Sequence, residues 1–338
     1  MAHVATITID HTKVAGDLTD YVGLIVPDGS AGYSALYALC LEGGGDIRLF
    51  KSDDTTEIAR EIVTFSVSSE TGEIHYRYAG TLSSSVDTDI HVYADGSSSD
   101  YGVTATYGRN AVWVDYRGVW HMQADGTDST GNLNNTDVGL TYAAAQIGDG
   151  AVYNASGDRI TTTTGTSPAN VYNFQSWFKT VSTNQQPIFT YTNAGGDTTS
   201  GYQISLVVNS SGNISATAGP TTSGTYRDGA WYKVDFTGDG SGNGKLYVDG
   251  ALNVSGGAHN PGSTTLYPMV GRNAGAVKRS FGGTLDEVRW RLGDNLSADW
   301  IETEYNNQNS YSTFYSVAAV GGGSTPAQAA RRGAVMMG

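Results

Sequence analysis

The reading of this chain turns on one stretch, Tyr226-Arg-Asp-Gly-Ala-Trp-Tyr-Lys-Val-Asp-Phe-Thr-Gly-Asp-Gly-Ser-Gly-Asn-Gly-Lys-Leu-Tyr-Val-Asp-Gly250. Its first arm alternates, with Tyr232, Val234 and Phe236 on one face and Trp231, Lys233 and Asp235 on the other. That period of two belongs to a half-buried strand. The second arm repeats it, with Leu246 and Val248 inward and Lys245, Tyr247 and Asp249 outward. Between the arms, Gly238 to Gly244 holds four glycines, an Asp and an Asn, residues that accept the positive φ of a hairpin loop. Asp249-Gly250 turns the chain again. The stretch predicts a β-hairpin inside an antiparallel sheet.

Asp228-Gly-Ala-Trp-Tyr-Lys-Val followed by Lys245-Leu-Tyr-Val-Asp-Gly resembles the central hairpin of the concanavalin A-like (laminin G-like) lectin/glucanase jelly roll. The resemblance widens in both directions. Ala151-Val-Tyr-Asn-Ala-Ser-Gly-Asp-Arg-Ile is similar to that family's early strand and turn, and Phe174-Gln-Ser-Trp-Phe-Lys to its next core strand. Gly283-Thr-Leu-Asp-Glu-Val-Arg is similar to its closing strand. The match covers residues 117–317 and carries a fold. It carries no activity, because unrelated functions share this superfold.

With 338 residues the chain has room for two domains, each able to bury its own core. Glycine is abundant at 45, proline scarce at 7, and 21 tyrosines point to an all-β protein rich in turns. The net charge of −14 disfavours an electrostatic grip on nucleic acid or on an anionic membrane. Cys40 is the single cysteine, so no intramolecular disulfide can form, and it reads as a small core residue between Leu39 and Leu41. The N-terminal residues show no basic region followed by a long apolar run, and no segment has the ~20 apolar residues of a membrane helix. The expectation is a chain made in the cytosol, without membrane insertion.

In order, strands are expected at Thr6–Ile9, Tyr21–Val26, Asp46–Phe50, Glu61–Val67, Glu73–Tyr78 and Thr88–Tyr93, with a short helix within Ala31–Leu41. This is the pattern of a small antiparallel β-sandwich over residues 1–116. Gly45-Asp-Ile-Arg-Leu-Phe, Ile58-Ala-Arg-Glu-Ile-Val, Glu73-Ile-His-Tyr and Tyr107-Gly-Arg-Asn-Ala-Val-Trp resemble an uncharacterised β-domain family. That family often lies directly upstream of concanavalin A-like domains in secreted, archaeal and phage proteins, and it brings no known catalytic residues. The boundary is expected near Tyr116-Arg117-Gly118, with Val119-Trp120-His121-Met122 as the first strand of the second domain and Asp125–Asp137 as a polar loop. Further strands are expected around 151–153, 172–180, 187–191, 202–208, 213–217, 266–271 and 282–290. One helix is expected near the C-terminus, capped by Ser297, with Asp299 and Glu302 near its positive end and Ile301 and Tyr305 on one face. Residues 318–338 read as a Gly-rich linker and an extended docking tail with Arg331-Arg332 and Val335-Met336-Met337.

Catalytic machinery is not visible. Glucanases of this superfold carry Glu-x-Asp-x-x-Glu on one strand, since retaining hydrolysis needs two carboxyls about 5–5.5 Å apart. No glutamate here begins that pattern. Asp286-Glu287 and Glu302-Thr-Glu304 are paired acids, read as a closing strand and a solvated helix face. No Gly-x-Ser-x-Gly is present, and His3, His11, His75, His91, His121 and His259 show no metal-ligand spacing. The sequons at Asn134, Asn154, Asn209, Asn213, Asn253 and Asn295 are of the number that so much Asn, Ser and Thr produces by chance.

The resemblance does imply one metal position. Family members often hold a structural Ca²⁺ between first and last strands through an Asp and main-chain carbonyls, and Asp286 is the matching residue. An ordinary strand aspartate is the alternative. Tyr191, Tyr202, Tyr226 and Tyr267 lie beside Gly-rich loops and are candidates for stacking on sugars, with core or rim aromatics as the alternative.

Three function classes follow. The first is a non-enzymatic virion structural protein of a tailed phage, a fibre, decoration or tail-associated subunit. It would be assembled in the host cytoplasm, homo-oligomeric, and anchored to other virion proteins through its C-terminal tail, with a lectin-like domain facing cell-surface glycans. The second is a secreted bacterial or archaeal carbohydrate-binding adhesin. The third, a polysaccharide-degrading enzyme, is disfavoured by the missing carboxylate motif.

Overall fold

A computed structural model describes residues 1–166, 170–192, 202–217, 219–258, 265–273 and 279–320, without the side chains of 202–204. Residues 321–338 of the expected tail, His259 and the side chain of Tyr202 therefore lie outside the described residues. The chain divides into two units: Met1–Val112 together with the segment from Ser310, and Trp113–Asn309.

In the first unit seven strands form one antiparallel path, ordered Leu18–Ile25, Thr71–Leu82, Glu57–Ser66, Arg48–Lys51, Thr88–Ala94, Ala2–Ile9 and Tyr315–Ala319. Strand Glu57–Ser66 belongs to both halves of that path. Glu57 and Ile58 pair with Phe50 and Leu49, whereas Ala59 to Ser66 pair with the strand Thr71–Leu82. Alternation explains the core: Ile7 and Ile9, Leu24, Ile74 and Tyr76, Ile90 and Val92 are all buried. Ser34–Leu39 is a short helix preceded by a 3₁₀ turn at Ala31–Tyr33. Cys40 follows it and is buried, which pushes its thiol up to about 12 and leaves it a weak nucleophile.

The last described strand corrects the sequence reading, which ran the second domain to residue 317. Tyr315–Ala319 pairs with the N-terminal strand in the register Ile9↔Tyr315 to Ala5↔Ala319. The backbone bonds continue on both sides, Asp10 N–H to Phe314 O at 3.0 Å and Val320 N–H to Val4 O at 3.0 Å. The Tyr315 hydroxyl accepts from Val26 N–H at 2.8 Å. The sequence reading placed no strand here, because the segment is short, mostly exposed and pairs with a strand at the other end of the chain.

The second unit is a two-sheet antiparallel sandwich of jelly-roll type. One sheet runs Ala251–Gly257, Asn243–Val248, Trp231–Asp239, Val171–Lys179, Gly283–Leu292, Asp149–Tyr153 and Thr141–Ala144, and Tyr116–Trp120 also pairs with Gly283–Leu292. The other runs Ile214–Ala216, Tyr202–Val208, Gln186–Thr192, Tyr267–Val270, Arg159–Thr162 and Asn135–Val138. Phe174, Val234, Phe236, Leu246 and Trp290 from the first sheet meet Ile188, Phe189, Tyr191, Leu206 and Val270 from the second in one buried core. Phe174 and Phe189 lie 4.5 Å apart centre to centre, and Tyr191 meets Trp290 edge-on at 4.8 Å. The expected polar loop at 125–137 gives way at its end to the strand Asn135–Val138, whose polar, half-exposed residues carry no apolar alternation.

The hairpin that opened the reading forms as expected, with Phe236 opposite Leu246 and Val234 opposite Val248. At its tip Gly240 and Gly242 take φ of 77° and 87°, which a β-carbon would oppose. The Asp239 carboxylate closes the loop by accepting from Ser241 N–H at 2.8 Å and Asn243 N–H at 3.0 Å. Asp249 and Gly250 both have positive φ, 51° and 78°, as a tight two-residue turn between right-twisted strands requires. Helix Ala298–Asn309 is capped by Ser297, whose Oγ accepts from Trp300 N–H at 3.1 Å. Among the described residues, no helix is long and apolar enough to cross a membrane.

Candidate functional site

The polar residues of the second unit fall into two groups with opposite environments. The first lies on the outer face of the larger sheet, beneath helix Ala298–Asn309. Adjacent strands present Gln175 and Trp177, Lys233 and Asp235, and Glu287 and Arg289 on that face, all buried. The helix brings Glu304 down among them. Its carboxylate accepts from Lys233 Nζ at 2.9 Å and Arg289 Nη1 at 2.7 Å, and also from Gln175 Nε2. Lys233 reaches Asp235 at 2.8 Å, and Glu287 binds Arg289 and, at 2.6 Å, His121 Nδ1. Trp177 Nε1–H donates to Gln308 Oε1 at 2.7 Å, and its ring stacks on Tyr305.

Burial works against every charge in this group, and the partners decide the outcome. For Glu304, burial is outweighed by Lys233 and Arg289, so its carboxyl sits below the usual range. For Lys233 and Arg289, burial is outweighed by the surrounding carboxylates, which hold both cations charged. Asp235 is pushed up, because burial exceeds what Lys233 returns. Glu304 is thus not on a solvated helix face, as the sequence implied; it is the ion that fastens the helix to the sheet. None of these acids is exposed to a substrate.

Asp286, the position carried by the resemblance for Ca²⁺, is fully buried at the bulge of the closing strand. One carboxylate oxygen accepts Ile147 N–H at 2.8 Å, which ties down the turn between Thr141–Ala144 and Asp149–Tyr153. The other has no hydrogen-bond partner. Burial, and then repulsion from Glu287, raise its pKa well above the ordinary aspartate value. Among the described residues, no group of three or more His, Cys, Asp or Glu side chains includes it.

The tyrosines divide. Tyr191 is buried in the sandwich core, and Tyr226 is half-buried edge-on to Tyr232, its hydroxyl accepting from Asn253 Nδ2 at 3.1 Å. Tyr267 is half-buried.

The second polar group is open. The turn after Asp149–Tyr153, the loop between Val171–Lys179 and Gln186–Thr192, and the segment leading into the closing strand enclose a cleft of about 440 Å³. Its lining includes Asn154, Ser156, Ser182, Asn184, Gln185 and Arg279, and among the described residues it contains no carboxylate. Asn154, Ser156, Asn184 and Arg279 are exposed. The frame beneath them is fixed. Gln186 donates to Ser182 Oγ at 2.7 Å and accepts from Gly282 N–H, and Thr180 Oγ1 donates to Gly282 O at 2.6 Å. Ser280 Oγ accepts Gly157 N–H at 2.8 Å, and Asp158 Oδ2 accepts Asn154 N–H at 2.7 Å and Ala155 N–H at 2.8 Å. Arg279 donates to Gln185 Oε1, which orients both side chains. The floor aromatic, Phe281, belongs to the core and meets Tyr153 edge-on. Sequence reasoning flagged Asn154 only as a sequon and missed the others, because amides distant in the chain carry no spacing signal.

A further cleft of about 470 Å³ is lined by Asp115, Arg117, Asn132 and Asp294 among others. Its polar side chains are largely engaged: Arg117 donates to Thr166 at 2.8 Å, Asn132 to Tyr116 O at 3.3 Å, and Asp294 pairs with Arg291.

Sandwich and hairpin together define an all-β domain of jelly-roll type. Residues 154–302 match the family model of the concanavalin A-like lectin/glucanases superfamily. No curated protein matches the chain. Among solved structures it is similar to domain 4 of AbnA, a GH43 extracellular arabinanase from Geobacillus stearothermophilus in complex with arabinotriose. The identity is 23%, over 56% of this chain and 97% of that one, with a TM-score of 0.45. It is also similar to the receptor binding domain of botulinum neurotoxin D, at 15% identity over 57% and 53% of the two chains and a TM-score of 0.43. A Trypanosoma rangeli sialidase is similar at 13% identity, over 62% of this chain and 34% of the enzyme, with a TM-score of 0.45.

Proposed function

We propose that the chain is a non-enzymatic glycan-binding protein whose binding site is the rim cleft between Asn154, Asn184 and Arg279. The observation that carries this reading is the cleft's chemistry: exposed amides, hydroxyls and one guanidinium on a hydrogen-bonded frame, with no acid among the described lining residues. Amides and hydroxyls offer both donors and acceptors to sugar hydroxyls. A glycosidase needs a pair of carboxyls flanking the scissile bond, and the acids Asp235, Glu287 and Glu304 are buried in ion pairs beneath the helix. The test is a glycan array probed with the intact protein and with an Asn184→Ala/Arg279→Ala double variant. Retention lost in the variant while the fold persists supports the assignment. Equal retention by both proteins, or release of reducing sugar by the intact protein, contradicts it.

The assembly role is a separate proposal, supported by the resemblance of residues 5–116 to a family found beside such domains in phage proteins. Under it, removing residues 321–338 abolishes incorporation into particles and leaves both units folded. Incorporation at normal occupancy by the truncated chain contradicts it.

A further inference from the structure

The first unit brings together two of the histidines that looked scattered in sequence. His3 lies on the N-terminal strand and His91 on its neighbour Thr88–Ala94, where Thr6 pairs with His91 and His3 with Tyr93 across a bulge. Their rings sit 4.3 Å apart, centre to centre. Asp54 comes from the tight turn between strands Arg48–Lys51 and Glu57–Ser66, where a φ of 56° turns the chain. Its Oδ1 is 2.5 Å from His91 Nδ1. One ligand atom from each of His3, Asp54 and His91 lies within 4.8 Å of the others.

We propose that His3, Asp54 and His91 form a binding site for one divalent transition-metal ion of the zinc class. Two imidazoles and one carboxylate are a borderline donor set that suits Zn²⁺, Co²⁺ or Ni²⁺ better than Ca²⁺ or Mg²⁺, which take oxygen. Bonds of about 2.0–2.2 Å to a tetrahedral ion set donors roughly 3.4 Å apart, so Asp54 Oδ1 and His91 Nδ1 must part by about an ångström to admit the ion, which then replaces their hydrogen bond. The Asp54 side chain is 51% exposed, so it has the freedom to do so. The frame around the donors resembles the outer hydrogen bonds that orient metal ligands. Tyr93 donates to Asp54 Oδ1 at 2.8 Å and stacks on His3, and His3 Nε2 lies 3.0 Å from Ala5 O and 3.1 Å from Thr6 Oγ1. An ion here would tie the first strand and the turn at Asp54 to the strand between them. The remaining coordination positions would face solvent and take water.

The full chain, stripped with EDTA and dialysed free of it, is titrated with ZnCl₂ in a calorimeter, and Co²⁺ loading is followed in the visible spectrum. We expect one equivalent bound, with affinity falling at least tenfold in His91→Ala, His3→Ala and Asp54→Asn. Tyr93→Phe should weaken binding about 10-fold, the usual effect of losing an outer hydrogen bond. His11→Ala, which alters the separate His11–Asp87 pair, should bind as the parent does. Thermal melts of the metal-free variants separate loss of ligand from loss of fold, and Asp54→Asn, nearly isosteric, keeps the turn. No Zn²⁺ binding by the parent chain, unchanged affinity in folded His91→Ala, or loss of binding in His11→Ala overturns the proposal.

Discussion

The two polar regions of the jelly-roll unit are built in opposite ways. Beneath the helix, full charges are packed out of water, each holding another: Lys233 and Arg289 share Glu304. At the rim, amides and hydroxyls meet solvent on a frame of hydrogen bonds. The buried ions are committed to one another, and Gln175, Trp177, Lys233, Asp235 and Arg289 position a helix. The rim groups Asn154, Asn184 and Arg279 have donors and acceptors exposed for a ligand.

The comparison breaks most decisively at Glu304. Glu304→Ala leaves Lys233 and Arg289 buried without their shared carboxylate, and should cost about 3–5 kcal/mol of stability in denaturant unfolding, as removal of one partner from a buried pair does. A loss under about 1 kcal/mol would show that water reaches the network. A smaller loss, about 1 kcal/mol, is expected for Ser297→Ala, which removes the cap bond to Trp300 from the same helix. Thermal melts of the two single variants and the double will show whether cap and anchor act on one element. If they do, the double variant costs less than the two singles together.

Asp286 sharpens the contrast from the other side, since it is buried without a cation. Its folded pKa is raised, so the folded state holds its proton more tightly than the unfolded chain does. Stability contributed by this group is therefore present at low pH and declines as pH rises above the ordinary aspartate value of 3.8. Asp286→Asn should gain about 1 kcal/mol at pH 7, given the cost of an unpaired buried oxygen. That advantage should shrink as the pH falls and the parent aspartate takes up its proton. Unfolding curves at pH 4 and pH 7, each with Ca²⁺ and with EDTA, check this. A Ca²⁺-dependent stability in the parent that disappears in Asp286→Asn would instead make the residue a calcium ligand. The smallest effect is expected at the rim, where Asn184→Ala should change stability by no more than about 0.5 kcal/mol.

Much of the fold was legible, and for identifiable reasons. Val234, Phe236, Leu246 and Val248 alternate cleanly because the hairpin has one dry face, and the glycines between them mark the tip. The outer face misled. Lys233, Asp235 and Glu304 read as solvated because charge normally means water, and only the tertiary placement of the helix puts them inside. Tyr315–Ala319 was missed as a strand and its first residues were assigned to the wrong unit, since its partner Ala2–Ile9 lies at the other end of the chain. The rim cleft was the least legible. Its side chains come from three loops, and neither Asn154 nor Asn184 nor Arg279 has any periodicity that would join them. His3 and His91 were missed as a pair for the same reason: their proximity is a matter of strand register.

The central claim, that the open rim binds glycan while the buried acids only build, is tested most directly by one paired titration. A glycan ligand identified on the array is titrated into the parent protein, the Asn184→Ala/Arg279→Ala variant and Ser297→Ala under identical conditions. The account predicts at least a tenfold loss of affinity in the rim variant with its melting temperature unchanged, and full affinity in Ser297→Ala despite its lower melting temperature. Retained affinity in the rim variant would contradict it.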